Sequence, residues 1–142
     1  IRPLMGNRIF GCDDCQLACP WNRYPQATTE SDFKPRHGLD QASLISLFNW
    51  SAEEFDERTQ GSPIRRAGYE GWLRNIAVAL GNGQANAATI AALQARLKDT
   101  SGMVQEHIQW ALQELEERAA QAIPLKPLPL LTLDARKIKH LR

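Results

Sequence analysis

Three cysteines that lie close together are the residues of this sequence best suited to metal chemistry. They are Cys12, Cys15 and Cys19, the only cysteines in the chain, and they follow the spacing C-x2-C-x3-C with Pro20 directly after. An odd number of thiols in so short a stretch is a poor layout for the disulfide framework of a secreted protein. Thiolates at such spacing are ligands for zinc or for iron–sulfur clusters, so we expect a metal site.

The cysteine spacing matches part of the bacterial ferredoxin motif, C-x2-C-x2-C-x3-C-P. In that motif the last cysteine binds a different cluster from the first three. Aligned with it, this sequence has Ile9 in place of the first cysteine, so Cys12 and Cys15 would bind one cluster and Cys19 another. Because a cubane cluster takes four cysteine ligands, the other ligands would come from outside this chain.

Zinc is the main alternative to an iron–sulfur cluster. His37 is the candidate for a fourth zinc ligand beside the three cysteines, although it lies far after Cys19 and lacks the paired second motif of a zinc ribbon or finger. Ordinary buried cysteines are a third interpretation, and the spacing disfavours it. The proline after Cys19 favours iron–sulfur.

Length and composition predict one small globular domain with a short appended segment. The chain has 142 residues, of which 43% are hydrophobic, and its 17 basic and 16 acidic residues leave a net charge of +1. Because the charges nearly balance, the net charge excludes a strong electrostatic attraction of the whole chain to nucleic acid or anionic lipid. No long apolar run and no secretion-signal layout are present, so we expect a cytoplasmic protein, without membrane contact and monomeric. The early cysteines and the start at Ile1 also suggest a piece of a longer protein.

The periodicity of the apolar residues predicts a mainly α fold with no strand. We divide the chain into the end of a ferredoxin-type iron–sulfur segment (1–25), a polar linker (26–40), a helical domain (41–122) and a basic tail that contains prolines (123–142). Within the helical domain, the capping box that starts at Ser51 predicts one helix start, and the apolar series from Tyr69 to Leu80 predicts a long helix.

Two further helices are predicted over residues 87–98 and 103–119. Joined by a short polar connection, they would form one HEAT-like repeat, and an ordinary small helical bundle is the equal alternative. The domain is therefore expected to be a HEAT-like bundle or short solenoid.

Four segments of this sequence resemble the epoxyqueuosine reductases. They are residues 2–22 (RPLMGNRIFGCDDCQLACPWN), 61–66 (GSPIRR), 72–82 (WLRNIAVALGN) and 106–112 (EHIQWAL). The resemblance implies a cobalamin-dependent oxidoreductase with two 4Fe–4S clusters, which receives electrons from a donor and converts epoxyqueuosine to queuosine at the wobble position of tRNA. The cobalamin domain, the acidic proton donor and five cluster cysteines of that family are absent from this sequence, so we expect this part alone to be inactive.

The resemblance also implies roles for single residues. In that family the matching cysteines place Cys12 and Cys15 on the second cluster and Cys19 on the first. Asp13 would approach the corrin ring through its turn, or would be a solvated turn residue. Trp21 would shield a cluster from water, or would be an ordinary core tryptophan.

Basic residues are the candidates for contact with tRNA. Arg65, Arg66 and Arg74 lie near the start of the long helix, where guanidinium groups can bind phosphates with two hydrogen bonds. Their alternative role is to pair with the acidic residues of segment 53–56. In the tail, basic residues predict either tRNA backbone contact or a solvated end; they are Lys126, Arg136, Lys137, Lys139 and Arg142.

Two other function classes fit the same residues. A reductive dehalogenase, or another corrinoid enzyme with two clusters, would share the cysteine pattern but not the segments of the helical domain. A helical-repeat interaction module with a zinc clip would be no enzyme at all, and it would hold zinc without sulfide.

Overall fold

The computed structural model describes residues 1–121, in which helices are the only regular elements. The predicted basic tail, 123–142, lies outside the described residues. The α-helices are α1 (Asp14–Leu17), α2 (Leu44–Phe48), α3 (Ala52–Arg58), α4 (Gly68–Gly81), α5 (Ala87–Arg96) and α6 (Gly102–Gln121). Four short 3₁₀ helices complete the list: Arg2–Met5, Pro20–Arg23, Ser31–Phe33 and Pro63–Ala67. Among these residues, no helix has both the length and the apolar character needed to cross a membrane.

Polar side chains fix where the helices begin. Ser51 accepts a hydrogen bond from the Glu54 N–H, and the Glu54 carboxylate accepts one from the Ser51 N–H, so the predicted capping box at the start of α3 is confirmed. Asn86 caps α5 by accepting a hydrogen bond from the Thr89 N–H at 2.9 Å. These caps satisfy N–H groups that the first helical turn cannot pair.

Helix α4 is the centre of the hydrophobic core. Its side chains Trp72, Leu73 and Ile76 are buried, as its apolar periodicity predicts. Helix α6 packs more extensively along α4 than along α5, although α5 and α6 also touch. The pair predicted as one HEAT-like repeat is therefore not the main helix pair, and the helices after residue 43 form a bundle around α4.

Helices α4 and α6 approach each other most closely at Gly81. A β-carbon at this position would lie 2.8 Å from both the Cα and the Cβ of Ala111, and 3.0 Å from the Cζ3 of Trp110. Carbon atoms in normal contact are about 3.5–4.0 Å apart, so only glycine fits here without a shift of the helices.

Arg96 connects three parts of the helical domain. Its guanidinium donates one hydrogen bond to the Tyr69 hydroxyl on α4 and another to the Trp50 carbonyl between α2 and α3, each at 2.7 Å. The Tyr69 hydroxyl also donates to that carbonyl at 2.7 Å. Because hydrogen bonds from a charged donor are among the stronger ones, this network ties α5 to the rest of the bundle.

Candidate metal centre

The cysteine segment is a tight turn that leads into the short helix α1. Cys12 lies between two residues with left-handed backbone conformation, Gly11 (φ 67°) and Asp13 (φ 53°). The Asp13 carbonyl then accepts hydrogen bonds from the N–H groups of Gln16 and Leu17, at 2.9 and 2.8 Å, which starts α1. Glycine and aspartate both tolerate this conformation better than most residues do. The turn thus places Cys12 just before α1.

Cys15 and Cys19 lie on either side of the end of α1. Cys15 is within α1, whereas Cys19 follows it and precedes the 3₁₀ helix that begins at Pro20. The backbone of Cys19 is extended (φ −66°, ψ 121°), so the chain changes direction at this residue. Proline disfavours a helical conformation of the residue before it, which accounts for the extended backbone of Cys19.

All three thiols are free and accessible. Cys12 and Cys15 are exposed and Cys19 is half-buried. Among residues 1–121 no group of three or more His, Cys, Asp or Glu side chains is arranged to hold a metal ion. The three cysteines and His37 therefore form no zinc clip within the described part. Binding of the three thiols to iron–sulfur clusters shared with another part of the protein stays a prediction.

The two aspartates of the segment have different surroundings. Asp14 forms an ion pair with Arg8 at 2.6 Å, which joins α1 to the chain before the turn. Asp13 is exposed and its backbone begins the helix. Contact of Asp13 with a corrin ring stays a prediction.

Trp21 does not belong to the core. Its side chain is 76% exposed, and its ring lies 6.2 Å from the ring of Tyr24, which is 73% exposed. The alternative that made Trp21 an ordinary core tryptophan is therefore wrong, because Trp21 neither belongs to the hydrophobic core nor packs against it. The role in shielding a cluster stays a prediction.

The three arginines predicted to bind phosphate differ in their partners. Arg65 forms an ion pair with Asp56 of α3, which is the alternative role considered for it. Arg66 is exposed. Arg74 is half-buried and donates from Nε and Nη2 to the Oδ1 of Asn75, at 3.0 and 2.9 Å. Binding of phosphate by these residues stays a prediction.

Two asparagines of α4 and its C-cap hold the cysteine segment against the helical domain. Asn75 donates from Nδ2 to the Ile9 carbonyl at 2.9 Å, and Asn82 donates to the carbonyls of Arg2 and Gly6, at 2.9 and 3.0 Å. Sequence reasoning missed these contacts. The available signal was a polar residue, Asn75, directly before the apolar run 76–80.

An ion pair adds a second anchor between the cysteine segment and α6. Arg2 pairs with Glu106, and its guanidinium carbon lies 5.8 Å from the centre of the Trp110 ring. The hydrogen bond from Arg2, followed by the attraction of its charge, lowers the pKa of Glu106 below its usual range. Asn75, Ile9 and Cys12 all line an open cavity of about 310 Å³.

Comparison with known proteins identifies a group of relatives. The sequence is 59% identical over 124 residues to an epoxyqueuosine reductase of Burkholderia pseudomallei, which covers 79% of this chain and 30% of that protein. The epoxyqueuosine reductase of Pseudomonas aeruginosa is 59% identical over 112 residues, which covers 79% of this chain and 31% of that protein. The epoxyqueuosine reductase of Escherichia coli is 57% identical over 121 residues, which covers 84% of this chain and 32% of that protein. No protein-family model and no solved structure matches the sequence. The chain thus spans about 30% of the length of these curated relatives.

Proposed function

This chain is homologous to the epoxyqueuosine reductases, and we propose that it is one part of such an oxidoreductase, to which it supplies cysteine ligands for two iron–sulfur clusters. The identity of 59% to a reductase is the observation that carries the proposal. The accessible, unpaired thiols of Cys12, Cys15 and Cys19 support it, because they are suited to bind clusters whose other ligands lie elsewhere in the protein.

The proposed reaction is the removal of the epoxide oxygen from epoxyqueuosine in tRNA. Conversion of an epoxide to an alkene takes two electrons and two protons and releases water. Bound 4Fe–4S clusters would supply single electrons, and cobalamin would be the group at which the substrate is reduced. In this chain Cys12 and Cys15 would hold one cluster and Cys19 the other, while cobalamin would be bound mainly outside this chain.

Contact with tRNA is the second proposed role of this chain. Arg66 is exposed and is the best candidate for a phosphate ligand among the three arginines. Arg65 already forms an ion pair with Asp56, and Arg74 donates hydrogen bonds to Asn75, so both guanidinium groups are less available to a phosphate. We propose that other parts of the helical domain also contact tRNA, and that the protein is a cytoplasmic monomer.

Analysis of iron and spin coupling in the full-length protein tests the proposal. After anaerobic reconstitution, we expect iron and acid-labile sulfide in the amounts of two 4Fe–4S clusters. In electron paramagnetic resonance of the reduced protein, we expect the signal of two magnetically coupled clusters. Cys12→Ala and Cys15→Ala should leave the signal of one cluster, and Cys19→Ala the signal of the other. The control change Ser46→Ala, at an exposed position of α2, should leave both signals. Zinc without sulfide would contradict the proposal, and the same surviving signal in all three cysteine variants would contradict the ligand assignment.

A further inference from the structure

A short series of hydrogen bonds joins α4 to the backbone just before Cys12. Arg74 donates two hydrogen bonds, from Nε and Nη2, to the Oδ1 of Asn75. Because these donors fix the position of the oxygen, the Nδ2 of Asn75 must point away from Arg74, toward the Ile9 carbonyl, to which it donates at 2.9 Å. The orientation of the Asn75 amide thus depends on Arg74.

A hydrogen bond that holds the Ile9 carbonyl also restricts the position of Cys12. The Ile9 side chain packs against the hydrophobic core, so both its side chain and its carbonyl are held by the helical domain. Only Phe10 and Gly11 separate Ile9 from Cys12, and the left-handed conformations of Gly11 and Asp13 define the path of the turn. A fixed Ile9 therefore fixes the location of the Cys12 thiol relative to α4.

Cys19 is held by a different set of contacts. Its carbonyl accepts a hydrogen bond from the Asn22 N–H at 3.1 Å, and the Asn22 side chain donates to the Gln16 carbonyl. These bonds join α1 to the residues that follow it and involve no residue of α4. Loss of the Asn75 contact should consequently affect Cys12 more than Cys19.

We infer that Asn75, oriented by Arg74, is a positioning residue for Cys12 and for the cluster that Cys12 and Cys15 bind. The inference rests on the proposed function, since it needs that cluster. It also gives Arg74 a role in the cluster segment in place of the phosphate contact predicted from the sequence.

The release of iron from the full-length, reconstituted protein to a strong chelator tests this inference. Loss of one hydrogen bond corresponds to about a fivefold change in the equilibrium between a held and a released turn. Asn75→Ala should therefore speed release from the Cys12–Cys15 cluster about fivefold. Asn75→Asp should speed it more, because a carboxylate would face the Ile9 carbonyl. Electron paramagnetic resonance of partly depleted samples shows which cluster remains, and the cluster of Cys19 should persist at its wild-type rate.

Two further variants separate positioning from general loosening of the fold. Arg74→Ala leaves the Asn75 amide in place but free to rotate, so we expect the same selectivity with a smaller change. Asn82→Ala removes the bonds to the Arg2 and Gly6 carbonyls, which lie further from Cys12 in the sequence, and should show no preference for one cluster.

The outcomes distinguish this inference from the proposed function. Clusters that form in the wild type but are released at the wild-type rate from both Asn75 variants would overturn the inference alone. Equal acceleration for both clusters in the Asn75 and Asn82 variants would also overturn it, because that result indicates a purely structural role. A wild-type protein without iron and sulfide would overturn the proposed function and, with it, the assignment of Asn75.

Discussion

Replacing Gly81 with alanine should push α4 and α6 apart and destabilise the helical domain. The new methyl group would lie 2.8 Å from the Cα and Cβ of Ala111, roughly 1 Å closer than normal carbon contacts allow. Since one of these atoms belongs to the backbone of α6, no side-chain rotation can relieve the overlap. The Trp110 ring, at 3.0 Å from the same position, would also have to move, and Arg2 lies over that ring.

The expected loss of stability follows from two opposing effects. Overpacking of a close helix contact costs about 1–3 kcal/mol. Alanine is favoured over glycine in a helix by about 1 kcal/mol, which offsets part of that cost. We therefore expect Gly81→Ala to lower the free energy of unfolding by up to about 2 kcal/mol, and the melting temperature by up to roughly 15 °C for a domain of this size.

Gly71, on the same helix, provides a matched control. A β-carbon there would lie 3.8 Å from the Ala67 Cβ and 3.9 Å from Nη2 of Arg74, which are ordinary contacts. Gly71→Ala should keep the helix gain without the overlap and should be neutral or stabilising. Urea and thermal denaturation followed by circular dichroism at the helix band would measure both variants. If Gly81→Ala raises the melting temperature as Gly71→Ala does, the close approach of α4 and α6 is refuted.

Three further predictions concern charged residues. In the full-length protein, Arg66→Ala should weaken tRNA binding and reduce the slope of log affinity against log salt concentration by about one unit, and Arg65→Ala should have a smaller effect. An affinity that is unchanged across salt concentrations would argue against phosphate contact. Arg2 lowers the pKa of Glu106, so the stability from this pair is complete above the ordinary carboxyl pKa of 4.5 and is lost as the pH falls through the lowered value. Glu106→Gln should remove that part of the acid dependence of the melting temperature, and a variant with the wild-type profile would show that the pair does not contribute. Arg96→Met should cost about 1–3 kcal/mol in urea denaturation, because the hydrogen bonds that tie α5 to the bundle are lost; equal midpoints would contradict this role.

Local signals in the sequence were sufficient to locate the helices. The capping residue Ser51 and the apolar series along α4 depend only on neighbours within a few positions, and the helix starts and buried faces that they predict are confirmed. Local signals do not show which helices pack against each other. An amphipathic face shows that α6 must pack on something, but α4 and α5 both offer an apolar surface, so periodicity alone could not rank them. Gly81 permits the close approach of α4 and α6 that the structure shows.

The candidate metal centre was predictable in its residue types but not in its surroundings. Spacing alone makes Cys12, Cys15 and Cys19 the candidate ligands, and their role stays a prediction. The exposure of Trp21 depends on which surfaces the segment presents, and the bond from Asn75 to Ile9 joins residues that are 66 positions apart. Nothing local in the sequence encodes such a pair.

The contacts that hold the cysteine segment have a consequence for the order of events during synthesis. The partners of that segment come much later in the chain: the asparagine that binds Ile9 is 66 residues further on, and the glutamate that pairs with Arg2 is 104 residues further on. At about 5–20 residues per second, a ribosome needs roughly 5–20 s to make that last interval. The nascent thiols therefore emerge before their supporting helices exist: the Asn75 contact can form only after α4 has left the ribosome, and the Arg2–Glu106 pair only after α6 has.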